Sequence, residues 1–465
     1  MKLRSIILFL HLLLFTSGWA QDSILVLNYD EYLSIVREHH PISYQAELKE
    51  DQGNALVQKA KGGFDPKIYG EINQKNFDGK QYYSRINSGL KIPTWFGLSL
   101  EGGFENNSGE YLNPENYTPT EGLWYAGVSV NIGNGLFIDR RRAELKQAEI
   151  YQNSSLIEQR LIMNQLIFDA TIAYWEWFKS YNMNEVNKMA LENAQIRLEA
   201  IIQSSYFGDL PSVDTLKAKI LVQERQLKFE QTSLELTNKR AQLEVFLWED
   251  GFIPLELGPY VVPNEYDDLL SIQQDQNAPV LLDSIISAHP EILLFQNEIE
   301  ISKIDFRLKR EELKPTIQLK YNALSRQTNT GPIQNYNANN YTWGAQISYP
   351  IFTRKERGAL QLTEIKIKEQ ETKIIDKYAT IKYKIESSFN TWNSLSKQVS
   401  IYSKAVNNYE LLFEAELELF EVGESSLFLV NVRDQEMIES QLKLTDIIYK
   451  NFVSMAEYNY QILGF

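Results

Sequence analysis

The stretch Trp124-Tyr125-Ala126-Gly127-Val128-Ser129-Val130-Asn131-Ile132 returns later in the chain as Trp343-Gly344-Ala345-Gln346-Ile347-Ser348-Tyr349-Pro350-Ile351. In the first copy Val128, Val130 and Ile132 alternate with small or polar residues, the period of a β-strand. The resemblance extends outward in both directions. Phe137 and Phe352 lie 215 positions apart, and so do Gly208 and Gly423. Upstream, His40-Pro41 and His289-Pro290 lie 249 apart, as do Pro66 and Pro315. The chain therefore repeats one unit, in which two strand regions feed a very long helix, a turn and a returning helix. The two long helices match without insertion over about 70 residues, roughly 100 Å at the α-helical rise. That length exceeds an ordinary globular core, and gap-free register means that the helix length itself is fixed.

The first 20 residues read as a secretory signal. Lys2 and Arg4 precede an apolar run from Ile6 to Phe15, and Ser17-Gly18-Trp19-Ala20 forms a small-residue cleavage site. The run is too short to span a bilayer. No other segment resembles a transmembrane helix, so entry into a membrane requires a closed barrel. The 465-residue chain contains no cysteine, which excludes disulfides, thiol catalysis and cysteine-bound zinc. The net charge is −15, and loss of Lys2 and Arg4 with the signal takes it to −17. Such acidity argues against nucleic acid as a partner.

The first repeat occupies 21–249. It comprises a polar helix over 28–62, strands and long loops within about 66–132, and a long helical hairpin over about 139–248. Asp139 is placed to cap the long helix. Residues 250–280, with Pro254, Pro259, Pro263 and Pro279, read as an inter-repeat connector or equatorial segment. The second repeat fills 281–465, with a helix to about 313, strands within about 316–351 and a helical hairpin over about 354–463. In the second long helix Ile374, Tyr378, Ile381, Ile385, Ser388 and Trp392 begin a run that steps by four and three to Phe413. This narrow 3.5-residue seam suits a coiled coil. The fold class is mainly α with a membrane β-barrel sector. Trp95, Trp124, Phe137, Trp343 and Phe352 are candidates for the membrane interface, where amphipathic rings collect. One chain holds too few strands to close a wide barrel, so protomers must share it.

The order and spacing of these elements resemble the TolC-type outer membrane efflux protein family across nearly the whole mature chain. The landmarks are the paired His-Pro sites, Ile351-Phe352, and the turns at Tyr206-Phe207-Gly208 and Val422-Gly423-Glu424-Ser425-Ser426-Leu427. The resemblance implies a homotrimer in the outer membrane, with four strands per chain and a periplasmic helical tunnel. It also implies a passive exit duct that docks to a periplasmic adaptor protein and an inner-membrane pump. Type I secretion beside an ABC transporter is the alternative within the same fold. A secreted trimeric coiled-coil protein without a pore is the alternative outside it.

The family's periplasmic gate lies at the two turns, which makes Gly208, Asp209, Asp214, Gly423, Glu424 and Ser425 the gate or tip candidates. The positions where some members carry pore-facing aspartates and a gate arginine hold Leu429, Val432 and Ser425 here. Glu421, Glu424 and Asp434 could supply acidity in their place. The stretch between Pro66 and Trp124 is 58 residues against 28 between Pro315 and Trp343. The surplus looks like an added hairpin, enlarging either the outer loops or the barrel wall. Arg140-Arg141-Arg142 opens the first long helix against the dipole preference, so a local compensation is expected. The duplicated His-Pro sites fit helix geometry, and no nucleophile elbow, phosphate loop or metal cluster is present. Neither enzymatic activity nor a cofactor is expected.

Overall fold

The computed structural model describes residues 25–208, 210–258, 260–265, 282–326 and 337–464. The signal segment, Asp209 and the connector residues 266–280 lie outside the described residues. In chain order the first repeat contains β1 (Leu25–Leu27), α1 (Tyr29–His39) and α2 (Pro41–Lys61). It continues with β2 (Lys67–Phe77), β3 (Lys80–Pro93), β4 (Leu98–Ser108), β5 (Leu123–Asn131), α3 (Arg140–Phe207) and α4 (Ser212–Glu244). The connector holds β6 (Trp248–Glu249), β7 (Ile253–Pro254) and β8 (Val261–Pro263). The second repeat gives α5 (Leu282–Ser287), α6 (Pro290–Glu312), β9 (Thr316–Arg326), β10 (Tyr341–Ser348), α7 (Arg354–Glu421) and α8 (Leu427–Ile462). Both long helices, α3 and α7, contain 68 residues. Among the described residues no helix is long and apolar enough to cross a membrane.

The polar helix expected over 28–62 is two helices, and the segment opening the second repeat is broken in the same way. Each break falls at the His-Pro pair. Proline lacks an N–H and forces the preceding residue out of the helical region. His40 and His289 accordingly sit at ψ 135° and 130°. Both imidazoles are buried. Each ring also meets a backbone carbonyl at the end of a returning helix, at Val245 for His40 and Gln461 for His289. His289 further accepts the Glu291 N–H at 3.2 Å, capping α6. Burial lowers both histidine pKa values and outweighs the opposing carbonyl bonds. A lowered folded pKa means the neutral ring is favoured in the native state. Its stability contribution is complete above the ordinary value near 6.5 and is lost as pH falls through the folded value. The melting temperature is therefore expected to drop below about pH 6.5, and a His40→Gln/His289→Gln variant should flatten that limb in thermal melts.

The chain divides into two compact units. One comprises the described parts of Met1–His40, Asp169–Gln276 and Ser394–Val453. Its core is aromatic. Trp175 stacks on Phe452 at 4.0 Å between centroids, and Tyr29, Tyr32 and Tyr174 surround the pair. The Tyr174 hydroxyl donates to the Leu27 carbonyl at 3.0 Å, tying the small parallel β1–β8 ladder to the helices. The other unit comprises the described parts of Pro41–Phe168, Asn277–Asn393 and Ser454–Phe465, and contains the large sheet. Its helical core includes Trp392 stacked on Tyr458 and a cluster of Ile138, Ala143, Ile304 and Leu308.

Among the described residues the sheet has six strands in the order β10-β9-β5-β4-β3-β2, and all its pairs are antiparallel. This departs from the four strands that the family resemblance implies. Pro66 and Pro315 precede β2 and β9, while Trp124 and Trp343 lie in β5 and β10. The β3–β4 hairpin is thus inserted between the equivalents of β9 and β10, and it enlarges the wall. Asp78 and Gly79, at φ 53° and 71°, make the tight β2–β3 turn, as an Asp-Gly pair is suited to do.

Candidate functional site: the two-faced sheet and the helical turns

The strand registers sort every side chain of the sheet onto one of two faces, because successive residues alternate. One face carries Ile68 and Ile72 from β2, Ile86 and Leu90 from β3, and Leu100 and Phe104 from β4. It continues through Trp124 and Val128 of β5, Leu319 and Tyr321 of β9, and Trp343 and Ile347 of β10. No charged residue lies on it. The opposite face carries Lys67, Glu71 and Lys75 of β2, Arg85 and Lys91 of β3, and Glu101 and Glu105 of β4. Lys320 and Arg326 of β9 complete its charges below the β2–β3 turn. The apolar face is open to its surroundings, with Ile68 88% and Trp343 71% exposed. The sheet curls, and Ser99, Tyr125 and Ser129 on the polar face are buried. Along β5, exposed apolar against enclosed polar is the inverse of a soluble sandwich and matches a barrel wall in lipid. The nine residues of β5 rise about 30 Å, which a tilt near 40° reduces to roughly the 25 Å height of an outer-membrane apolar band.

The inserted hairpin is fastened from the polar side. Tyr69 of β2 lies over Gly89, and Tyr125 of β5 lies over Gly103. A Cβ at either glycine would meet a tyrosine hydroxyl at 2.7 or 2.6 Å, so both positions require glycine. The two hydroxyls hydrogen-bond to each other, and that of Tyr125 also donates to Asn87 at 3.0 Å. Nearby, Glu101 accepts from Lys91 at 2.8 Å and from Lys320 at 2.6 Å.

The predicted interface aromatics fall into two groups. Trp124 and Trp343 are on the apolar face, beside Phe104 and Tyr321. Trp95, Phe137 and Phe352 are exposed in the segments at the other end of the strands, where β3 turns into β4 and where α3 and α7 begin. Below that end, Asp139 caps α3 as expected. Its carboxylate accepts the Arg142 N–H at 2.9 Å and pairs with the Arg141 and Arg142 side chains at 3.1 Å. Partial burial opposes ionisation of Asp139, but these bonds hold its pKa below the ordinary value. Arg142 also donates to the carbonyls of Leu136 and Gly135. This is the compensation that basic residues at a helix N-terminus need.

At the helical turns Gly208 and Gly423 share one left-handed conformation, φ 84° and 82°. Glu424 N–H reaches back to the Leu419 carbonyl at 2.8 Å, closing α7 with a Schellman bond. Asp214 sits in the first turn of α4, paired to Lys217 at 3.0 Å. Glu421, Gly423 and Ser425 line a groove with Ile196, Leu210 and Phe420, and the Ser425 hydroxyl donates to Glu416. Glu424 and Leu429 are exposed. Asp434 is only 3% exposed. It is held by Arg197 at 3.2 Å and Arg225 at 3.0 Å, with Arg197 also donating to Asn431 at 3.2 Å. Sequence reasoning missed both arginines, which belong to other helices. Among the described residues no cluster of His, Asp or Glu could hold a metal ion.

A two-faced sheet joined to helices of this length defines the channel fold of the outer membrane efflux proteins. Residues 281–444 match the family model described as outer membrane efflux protein, a stretch that lies within the second repeat. The fold is similar to the CmeC outer membrane channel of Campylobacter jejuni, at 13% identity and TM-score 0.65, over 94% of this chain and 85% of that one. It is similar also to the open-state MtrE outer membrane channel of Neisseria gonorrhoeae, at 14% identity and TM-score 0.67, over 93% and 88%. The outer membrane protein VceC of Vibrio cholerae aligns at 12% identity and TM-score 0.63, over 93% and 95%. No curated protein matches the sequence. The family consists of passive channels, not enzymes.

Proposed function

We propose that this chain is one protomer of a trimeric exit duct in the outer membrane, with its helical part in the periplasm. The observation that carries the reading is the segregation of all charge below the β2–β3 turn onto one sheet face. A lipid-facing wall needs that segregation, and a water-soluble protein would be destabilised by the bare apolar face. Among the described residues the outer strands β2 and β10 each leave one backbone edge unpaired. An open edge is not tolerated in hydrocarbon. β2 and β10 run in opposite directions, so a neighbouring copy can continue the antiparallel ladder, and three copies of six strands would close eighteen.

The helical turns present Tyr206, Phe207, Val422 and Phe428 to solvent, with Tyr206 86% exposed. Such a patch suits docking to a periplasmic adaptor, which would link the duct to an inner-membrane pump that supplies the energy. Gly208, Asp214, Glu421, Gly423, Glu424, Ser425 and Leu429 are the tip residues of this reading. The test is single-particle imaging of the full chain extracted from membranes in detergent. Trimeric particles with a detergent belt around the sheet are expected. A particle soluble without detergent, or one with no lumen, would overturn the proposal in favour of a coiled-coil interaction protein.

A further inference from the structure

Below the β2–β3 turn the polar face of the sheet carries six basic residues against three acidic ones. The whole chain, by contrast, has a net charge of −15. The acidity of the protein therefore lies outside its barrel strands. The surplus is concentrated low on the wall. Lys67, Lys91 and Glu101 lie directly opposite one another in successive strands, and Lys320 reaches Glu101 from β9. Glu101 is nearly enclosed between its two lysines, with a side chain only 7% exposed, whereas those of Lys91 and Lys320 are 45% and 44% exposed. The carboxylate is screened and the cations face the open side.

We propose that the barrel lumen of this chain is a cationic sector that favours anionic cargo over cationic cargo of similar size. This rests on the exit-duct reading, under which the polar face lines the pore. Each protomer then adds a surplus of three positive charges to a wall backed by lipid. A low-dielectric backing focuses the field into the pore, and rings of Lys and Arg select for anions. Acidic residues on the helices act on the sector only within a Debye length, about 10 Å at 0.1 M salt. At the lower rim Asp139 and Glu311 are already paired with Arg141, Arg142 and Lys314, so the wall's own charges set its preference.

The experiment is the reversal potential of the purified full-length protein in planar bilayers under a KCl gradient with the dilute side near 0.1 M, where screening extends about 10 Å. The wild type is expected to prefer chloride. Lys67→Glu/Arg85→Glu changes two lumen residues that make no ion pair with Glu101, whose bonds come from Lys91 and Lys320. It is expected to shift the permeability ratio toward K+ on the order of twofold or more. Glu101→Gln should move the ratio toward chloride. A K+-selective wild type, or a conducting pore that neither variant shifts, overturns the inference and leaves the duct standing. A protein that forms no pore at all removes the duct reading and this inference with it.

Discussion

Replacing Asp434 by asparagine is expected to lower stability by about 3–5 kcal/mol, the usual cost of breaking a buried ion pair from one side. The carboxylate bridges Arg197 of α3 and Arg225 of α4 from its own helix α8. Arg197 also lies 5.7 Å from the centre of the Phe413 ring on α7, so four helices converge on this one charge. Asparagine keeps the shape but leaves two enclosed guanidinium groups facing a neutral amide. The pair between Asp214 and Lys217, open to solvent on its lysine side, is the comparison. Its lysine side chain is 60% exposed, and Asp214→Asn should cost at most about 1 kcal/mol. The measurement is the thermal midpoint of the helical signal in detergent for both variants. A change for Asp434→Asn as small as that for Asp214→Asn would show that the cluster contributes nothing net. A triple Arg197→Met/Arg225→Met/Asp434→Leu variant should recover much of the loss, because the cost lies in orphaned charge and not in the missing hydrogen bonds.

The same cluster shows where sequence reading stops. The repeat, the equal long helices, the paired turns at Gly208 and Gly423 and the Asp139 cap were all legible, because each is written in local sequence or in a fixed offset. Asp434 lies 237 and 209 positions from its partners. A carboxylate on a long polar helix reads as solvated unless its distant partners are known. The breaks at His40 and His289 were legible in principle, since the residue before proline is driven out of the helix. Helical spacing on both sides of each pair hid them. The inserted hairpin was visible as surplus length but not as wall. Its apolar face includes Ser84, Ser88 and Gly102 among the larger residues, so the alternation along any single strand is weak. The contrast between faces emerges only when cross-strand register adds the strands together.

That register supplies the second large effect. Val128 of β5 lies on the apolar face, opposite Leu100 and Tyr321. Thr342 of β10 lies on the polar face, opposite Asn322. Val128→Arg places a charge in the apolar band and is expected to destabilise the barrel by about 2–4 kcal/mol, the range for arginine at the bilayer midplane. Thr342→Arg places the same side chain in a hydrated lumen and should assemble almost as the parent does. Total helix content does not separate the two, because the helices lie outside the sheet. The measurement is the fraction of chain recovered as detergent-resistant trimer from outer membranes, together with the urea concentration at which that trimer is lost. Strong loss for Val128→Arg with near-parental assembly for Thr342→Arg fixes which face meets lipid. The reverse pattern would invert the wall, place the charged face outward and leave no membrane in which such a sheet could stand. Equal tolerance of both would mean that neither face is in hydrocarbon, and the apolar surface would then need another protein chain to cover it.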